Sequence, residues 1–161
     1  MLEQLNLSEC DNLTDGGLKE ILRRSGSSIR VLDVSYTNIT GQGFMDGVSL
    51  PMLEELNLSG CRNLTDGGLK EIIRISGSII RVLDVSRTRI TGQGFKDGVS
   101  LPMLDQLNLI RCRSLTDSGI LEILSITGNR LQIVNVAVCL NLSTALRSTL
   151  SSQYPSVQFK Y

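Results

Sequence analysis

A chain of 161 residues with 41% hydrophobic residues is long enough to bury a core and carries no bias toward disorder. Its 16 Lys plus Arg balance 16 Asp plus Glu, so no global charge draws it to nucleic acid or to an anionic membrane surface. No apolar run approaches the roughly 18 residues of a membrane helix, and the opening MLEQLNLSEC lacks the basic and apolar regions of a secretion signal. The chain therefore reads as a cytoplasmic protein or a piece of one.

Internal repetition dominates everything else. Residues 2–52 recur almost unchanged as 53–103, with nine differences over 51 positions, and a looser third copy starts at Leu104. Each copy divides into a 27-residue and a 24-residue unit. Six units result, opening at Leu2, Ile29, Leu53, Ile80, Leu104 and Leu131.

In the first unit the alternation in QLNLS predicts a short strand with one buried face. Thr14-Asp15 offers a helix N-cap ahead of Leu18, Ile21 and Leu22, which share a helical face, and Ser25-Gly26 is read as the stop. The second unit repeats the strand at Leu32 and Val34. There Thr40 is expected to cap a shorter helix with Phe44 and Val48 inward, closed by Leu50-Pro51. The same order follows twice more. Residues 143–152 then read as a last helix and 154–161 as a final strand, whose aromatics are expected to cover the end of the core. No unit can bury its apolar face alone, so the units must stack strand beside strand and helix beside helix.

The segment LEELNLSGCRNLTDGGLKEI resembles the L-x-x-L-x-L-x-x-N/C-x-L pattern of leucine-rich repeats, in the cysteine-containing subtype of F-box leucine-rich-repeat proteins. The resemblance runs through essentially the whole chain. It implies an α/β solenoid of about six repeats, with a curved parallel sheet on the concave face and helices on the convex one. It further implies a protein-binding module, such as the substrate-recognition part of a ubiquitin-ligase receptor. A second resemblance is to the ligand-sensing repeats of innate-immune or cell-death receptors. Leu2 opens a strand directly after Met1, with no polar unit ahead of it, so the chain reads as one domain cut from a longer protein. Self-association through that exposed edge is expected.

Chemistry is sparse. Without histidine, Ser/His and Cys/His catalysis and Cys/His zinc sites are not expected, nor is any cofactor. Gly41-x-Gly43 and Gly92-x-Gly94 lack the lysine ending of a phosphate loop and read as turns. Cys10, Cys61 and Cys112 fall 51 residues apart, in one structural slot, and are expected as buried free thiols. Cys112 and Cys139 are the one pair to watch for a disulfide. Asn6, Asp33, Asn57, Asp84, Asn108 and Asn135 form an outward row, read as mid-strand, that either hydrogen-bonds in solvent or contacts a ligand.

The differences between copies are more telling. Leu22/Ile73 is a conservative swap inside the core. Glu9/Gly60, Asp11/Arg62, Tyr36/Arg87 and Asn38/Arg89 occupy two slots flanking the Cys/Thr position. Two readings are open: surface drift after duplication, or a recognition edge. Along the six units these slots run from Glu9 and Asp11 through Tyr36 and Asn38, then Gly60 and Arg62, Arg87 and Arg89, Arg111 and Arg113, to Val138 and Leu140. The edge thus passes from acidic to basic to apolar. Glu55, Asp84 and Asp105 are expected to neutralise part of the arginine stripe. Ile110, Ile133, Ala137 and Val138 place apolar groups where earlier strands are polar, forming a patch open to a partner unless the C-terminal tail covers it. The candidate binding residues are Tyr36, Arg62, Arg87, Arg89, Ile110, Arg111, Arg113 and Val138, for a protein partner with an acidic or phosphorylated surface. An anionic small molecule or nucleic acid is the alternative ligand.

Overall fold

A computed structural model describes residues 1–95 and 98–161, so Lys96 lies outside the described residues. Seven three-residue strands form one parallel sheet in chain order: β1 (Gln4–Asn6), β2 (Val31–Asp33), β3 (Glu55–Asn57), β4 (Val82–Asp84), β5 (Gln106–Asn108), β6 (Ile133–Asn135) and β7 (Gln158–Lys160). Their central residues pair Leu5↔Leu32↔Leu56↔Leu83↔Leu107↔Val134↔Phe159. That register keeps the central apolar residue of every strand on the core face, as the two-residue period demands, while Val31, Val82 and Ile133 share the other face with Gln4, Glu55 and Gln106. Among the described residues four α-helices, α1 (Asp15–Ser25), α2 (Asp66–Ser76), α3 (Asp117–Ser125) and α4 (Thr144–Gln153), contribute to the second layer. The core between the layers includes Leu18, Leu32, Phe44, Leu56, Ile72, Leu83 and Phe95, none more than 2% exposed. Among the described residues no helix is long and apolar enough to cross a membrane.

Thr14, Thr65 and Thr116 cap α1, α2 and α3, each Oγ1 accepting from the backbone N–H three residues on at 2.9–3.1 Å. The aspartate that follows binds the next repeat instead. The Asp66 carboxylate accepts from Thr91 N–H, Thr91 Oγ1–H and Gly92 N–H at 2.7–3.2 Å, and Asp15 does the same to Thr40 and Gly43. One carboxylate thus satisfies three donors across a repeat boundary, and its position at a helix N-terminus favours its charge.

The 24-residue units differ from the sequence expectation. Thr40 does not head an α-helix. Only a 3₁₀ turn, Gln42–Phe44, forms there, entered through Gly41 at φ 99°, and the equivalent stretch 91–95 is not helical. Gly41 and the first turn of α2 pack backbone to backbone, and a Cβ on Gly68 would lie 2.2 Å from the Thr40 carbonyl oxygen. This close approach leaves no room for a helix on the Gly41 side. Phe44 and Val48 still face inward. α1 does stop at Ser25, as expected; Gly26, its C-cap, has φ −61° rather than a left-handed value and leads into a 3₁₀ turn, Gly26–Ser28. Its lack of a side chain serves packing, since a Cβ would sit 2.7 Å from the Ser49 carbonyl oxygen.

All four cysteines are free thiols. Cys61, Cys112 and Cys139 are buried and donate to the carbonyls of Val34, Val85 and Leu109 at 3.0–3.2 Å. Burial pushes the Cys112 thiol up to about 11, and those of Cys61 and Cys139 upward, which keeps them protonated and unreactive. Cys10 departs from this pattern: it is exposed, since among the described residues its slot lies on the edge strand β1, with no earlier repeat to cover it. Of residues 154–161, only Gln158–Lys160 form a strand, pairing as β7 with β6; Tyr154 meets Phe159 edge-on at a centroid distance of 6.3 Å, and Phe159 stacks on Tyr161 at 6.4 Å.

Gly68→Ala is expected to destabilise the protein by about 2 kcal/mol or more, because backbone must move to admit the methyl group. Gly67→Ala, whose Cβ would meet only Thr65 Oγ1 at 3.9 Å, is expected to be neutral or stabilising by up to about 1 kcal/mol. Urea unfolding of the two variants checks the contrast.

Candidate protein-binding groove

At the end of each strand the Asn/Asp row turns the chain. Asn57 Oδ1 accepts from Ser59 N–H at 3.0 Å, Asp84 Oδ1 from Ser86 N–H at 2.8 Å, and the other four rows repeat the contact. These residues are the last of their strands rather than mid-strand. Most are half-buried, and Asn57 and Asn108 also donate to Asp33 and Asp84 at 3.1 and 2.8 Å. The row is therefore engaged with itself and with its own turns.

Three residues after each Asn or Asp comes the first variable slot, and there the backbone is left-handed in every repeat. Glu9, Tyr36, Gly60, Arg87, Arg111 and Val138 have φ of 59°, 54°, 71°, 58°, 59° and 61°. Left-handed geometry costs a residue with a Cβ about 1–2 kcal/mol, and only one of the six is glycine. The conformation is held from outside the residue. Glu9, Tyr36, Gly60, Arg87 and Arg111 each donate their N–H to the adjacent repeat, to Ser35, Ser59, Ser86, Ile110 and Ala137 carbonyls at 2.8–2.9 Å. The following Cys/Thr residue turns inward in every repeat after the first, and the second variable slot turns out again. Each repeat thus presents two exposed side chains from an immobilised turn, except the third, where Gly60 is buried and Arg62 alone projects.

Where the two copies meet, these side chains enclose a groove of about 500 Å³ lined by Tyr36, Gly60, Arg62, Arg87, Thr88, Arg89, Arg111, Arg113 and Ser114. Gly60 opens it: a Cβ there would lie 2.5 Å from Tyr36 Cδ1, so the missing side chain gives the tyrosine ring its place. Arg87 then donates from Nη1 to Tyr36 Oη at 2.6 Å, with its Cζ 6.0 Å from the ring centroid.

The neutralising carboxylates expected from sequence do not reach this groove. Asp105 is held by Arg81 at 2.9 Å and Arg130 at 3.4 Å. Desolvation would raise its carboxyl, but hydrogen bonding and charge from Arg81, then Arg130, outweigh this and hold it below the usual carboxylate range. Asp84 is engaged with Ser86 and Asn108, and Glu55 is an exposed strand residue outside the lining. Among the described residues, Arg62, Arg89, Arg111 and Arg113 pair with no carboxylate, whereas Arg30 is bound to Glu54, and Arg81 and Arg130 to Asp105.

Six of the eight sequence candidates, Tyr36, Arg62, Arg87, Arg89, Arg111 and Arg113, are brought together here. Ile110 and Val138 lie outside the lining. Ile110 is half-buried in the turn after β5, while Val138 and its companion Leu140 are 43% and 67% exposed in the next repeat. The tail does not cover them. Gly60, Thr88 and Ser114 were missed as lining residues; Gly60 was signalled only as a position where the copies differ.

The family profile for leucine-rich repeats matches residues 1–22, 27–45 and 49–72. One chain of the crystal structure of the Rad7 and Elc1 complex in yeast matches over 91% of this chain, with a TM-score of 0.61 and 17% identity. The fold is a leucine-rich repeat solenoid. The present chain spans 44% of that relative's length, and at this identity the likeness concerns the fold alone. In a solenoid of this kind β1 to β7 line the concave face, and the arginine groove lies along the edge where the strands run into their loops.

The left-handed slots predict opposite signs for two substitutions. Gly60→Ala should destabilise by about 1–2 kcal/mol and dislodge the Tyr36 ring, whereas Val138→Gly should stabilise by about 1 kcal/mol by relieving a β-branched residue of left-handed strain. Urea midpoints for both variants check this.

Proposed function

We propose that this chain is a non-enzymatic protein-interaction module that recognises an acidic segment of a partner protein through its arginine-lined edge and the adjoining concave face. One observation carries the reading. Five arginines line a single groove that contains no acidic side chain, on turns fixed by backbone bonds to the neighbouring repeat. Uncompensated guanidinium groups on a preorganised surface favour forked hydrogen bonds to carboxylate or phosphate oxygens with little ordering on binding. The exposed Val138 and Leu140 beside them add the apolar contact that an interface combines with charge.

The finer assignment is to the substrate-recognition part of a ubiquitin-ligase receptor. It is supported by the resemblance of the cysteine-containing repeats to those of F-box leucine-rich-repeat proteins. The fold relative was itself solved in a complex with a second protein, which is consistent with an interaction role.

Arg87→Glu/Arg111→Glu leaves the core untouched and reverses charge at the centre of the groove. In quantitative mass spectrometry of affinity captures, a defined set of partners should be lost with this variant, with a steep dependence on salt for the wild type. An unchanged set of captured proteins would remove the groove as the recognition site.

A further inference from the structure

We infer that the groove reads a phosphate: it takes a phosphorylated serine or threonine of an extended partner segment, whose flanking residues are selected by the acidic and apolar ends of the same edge. The inference rests on the protein-interaction reading and specifies its ligand. Charge comes first. A single carboxylate facing Arg62, Arg87, Arg89, Arg111 and Arg113 would leave most of their charge uncompensated. A phosphate monoester brings about −1.5 to −2 charges and three strong acceptor oxygens, enough to engage several guanidinium forks at once. Arg87 is already oriented by its 2.6 Å bond to Tyr36 Oη, so part of the ordering needed to hold the anion is in place before it arrives.

The edge also has a direction. Adjacent parallel strands lie about 4.8 Å apart, and the Arg87/Arg89, Arg111/Arg113 and Val138/Leu140 slots occupy successive repeats. From the centre of the arginine block to the apolar pair is therefore about 5–10 Å, or one to three residues of an extended chain rising about 3.3 Å each. Toward the other end, Glu9 and Asp11 stand three repeats from Arg87 and Arg89, both exposed and outside any ion pair among the described residues. A partner segment that follows the edge places an apolar side chain one to three residues from the phosphate and a basic one about four residues away on the opposite side. A nucleic acid strand would require positive charge to continue along its track. Here it stops after three repeats, bounded by carboxylates at one end and hydrocarbon at the other.

Fluorescence polarisation with labelled nine-residue peptides tests this. The probes carry a central phosphoserine, glutamate or serine, and leucine either two residues from the centre or absent, with both chain directions sampled. A labelled ten-residue oligothymidine and unlabelled inorganic phosphate as competitor complete the set. The phosphoserine peptide with leucine is expected to bind at least tenfold more tightly than its glutamate and serine forms, to be displaced by phosphate, and to weaken several-fold without leucine or with Leu140→Ser. Arg87→Tyr/Arg89→Asn places the first copy's own residues in the second copy, so it keeps the fold. It should reduce phosphopeptide binding at least tenfold. Equal binding of the glutamate and phosphoserine peptides, or tighter binding of the oligothymidine, overturns the phosphate assignment. Loss of captured partners in the Arg87→Glu/Arg111→Glu variant would still stand in the first of these cases, so the two readings fail separately.

Discussion

The structure depends on a backbone ladder that does not stop where the strands stop. Three-residue strands are too short to hold a sheet together by themselves. The ladder runs past them: Leu58 N–H donates to Asp84 O at 2.7 Å, and Gly60 N–H to Ser86 O at 2.8 Å, so pairing continues through the turn into the variable slot. The same bonds that lengthen the sheet hold the slot left-handed. On the other layer, Asp15 and Asp66 tie the starts of α1 and α2 to the following repeat, and at the boundary between those two pairs the Gly41–Gly68 approach brings the backbones together, with Thr65 N–H donating to Thr40 O at 3.3 Å. Stacking geometry is therefore set by main chain and by short polar residues, with the apolar core filling the space between.

That division explains where the two near-identical copies are free to differ. Residues such as Leu56, Asp66 and Gly68 have partners that fix their size or charge to within an atom or two. The two exposed slots have their backbone fixed and their side chains unconstrained, so glutamate, tyrosine, glycine, arginine and valine all occupy the same left-handed position. A repeat array of this kind can change its surface chemistry without disturbing its frame. Here the changes accumulate into a groove, because Gly60 in one repeat admits Tyr36 from the repeat before, and Tyr36 in turn receives Arg87 from the repeat after.

Much of the frame was legible in the sequence, because it rests on periodicity: the strand at Q-L-N-L-S, the Thr14 cap and the stacking of alternating units all follow from spacing. What was not legible involves contacts between units. Asp15 reads as part of a cap until the neighbouring Thr40 is placed beside it. Thr40 itself resembles a cap because nothing local reveals that Gly41 is pressed against Gly68. The left-handed slot was hidden because five of its six residues are types that seldom adopt that conformation. Of the groove, the arginines could be aligned from sequence but not their counter-charges, since long side chains choose partners by reach. Asp105 is captured by Arg81 and Arg130 on the far end of the strands, leaving the stripe unneutralised.

The central claim is that unpaired arginines of the groove, and not arginine in general, form the recognition surface. Side-chain Nε resonances of arginine, followed by NMR during titration with phenyl phosphate, address it most directly. The expected result is that Arg87, Arg89, Arg111 and Arg113 shift together along one saturating curve, while Arg30, Arg81 and Arg130, held in ion pairs, do not move. Shifts of equal size across both groups, or none in the groove, would contradict it.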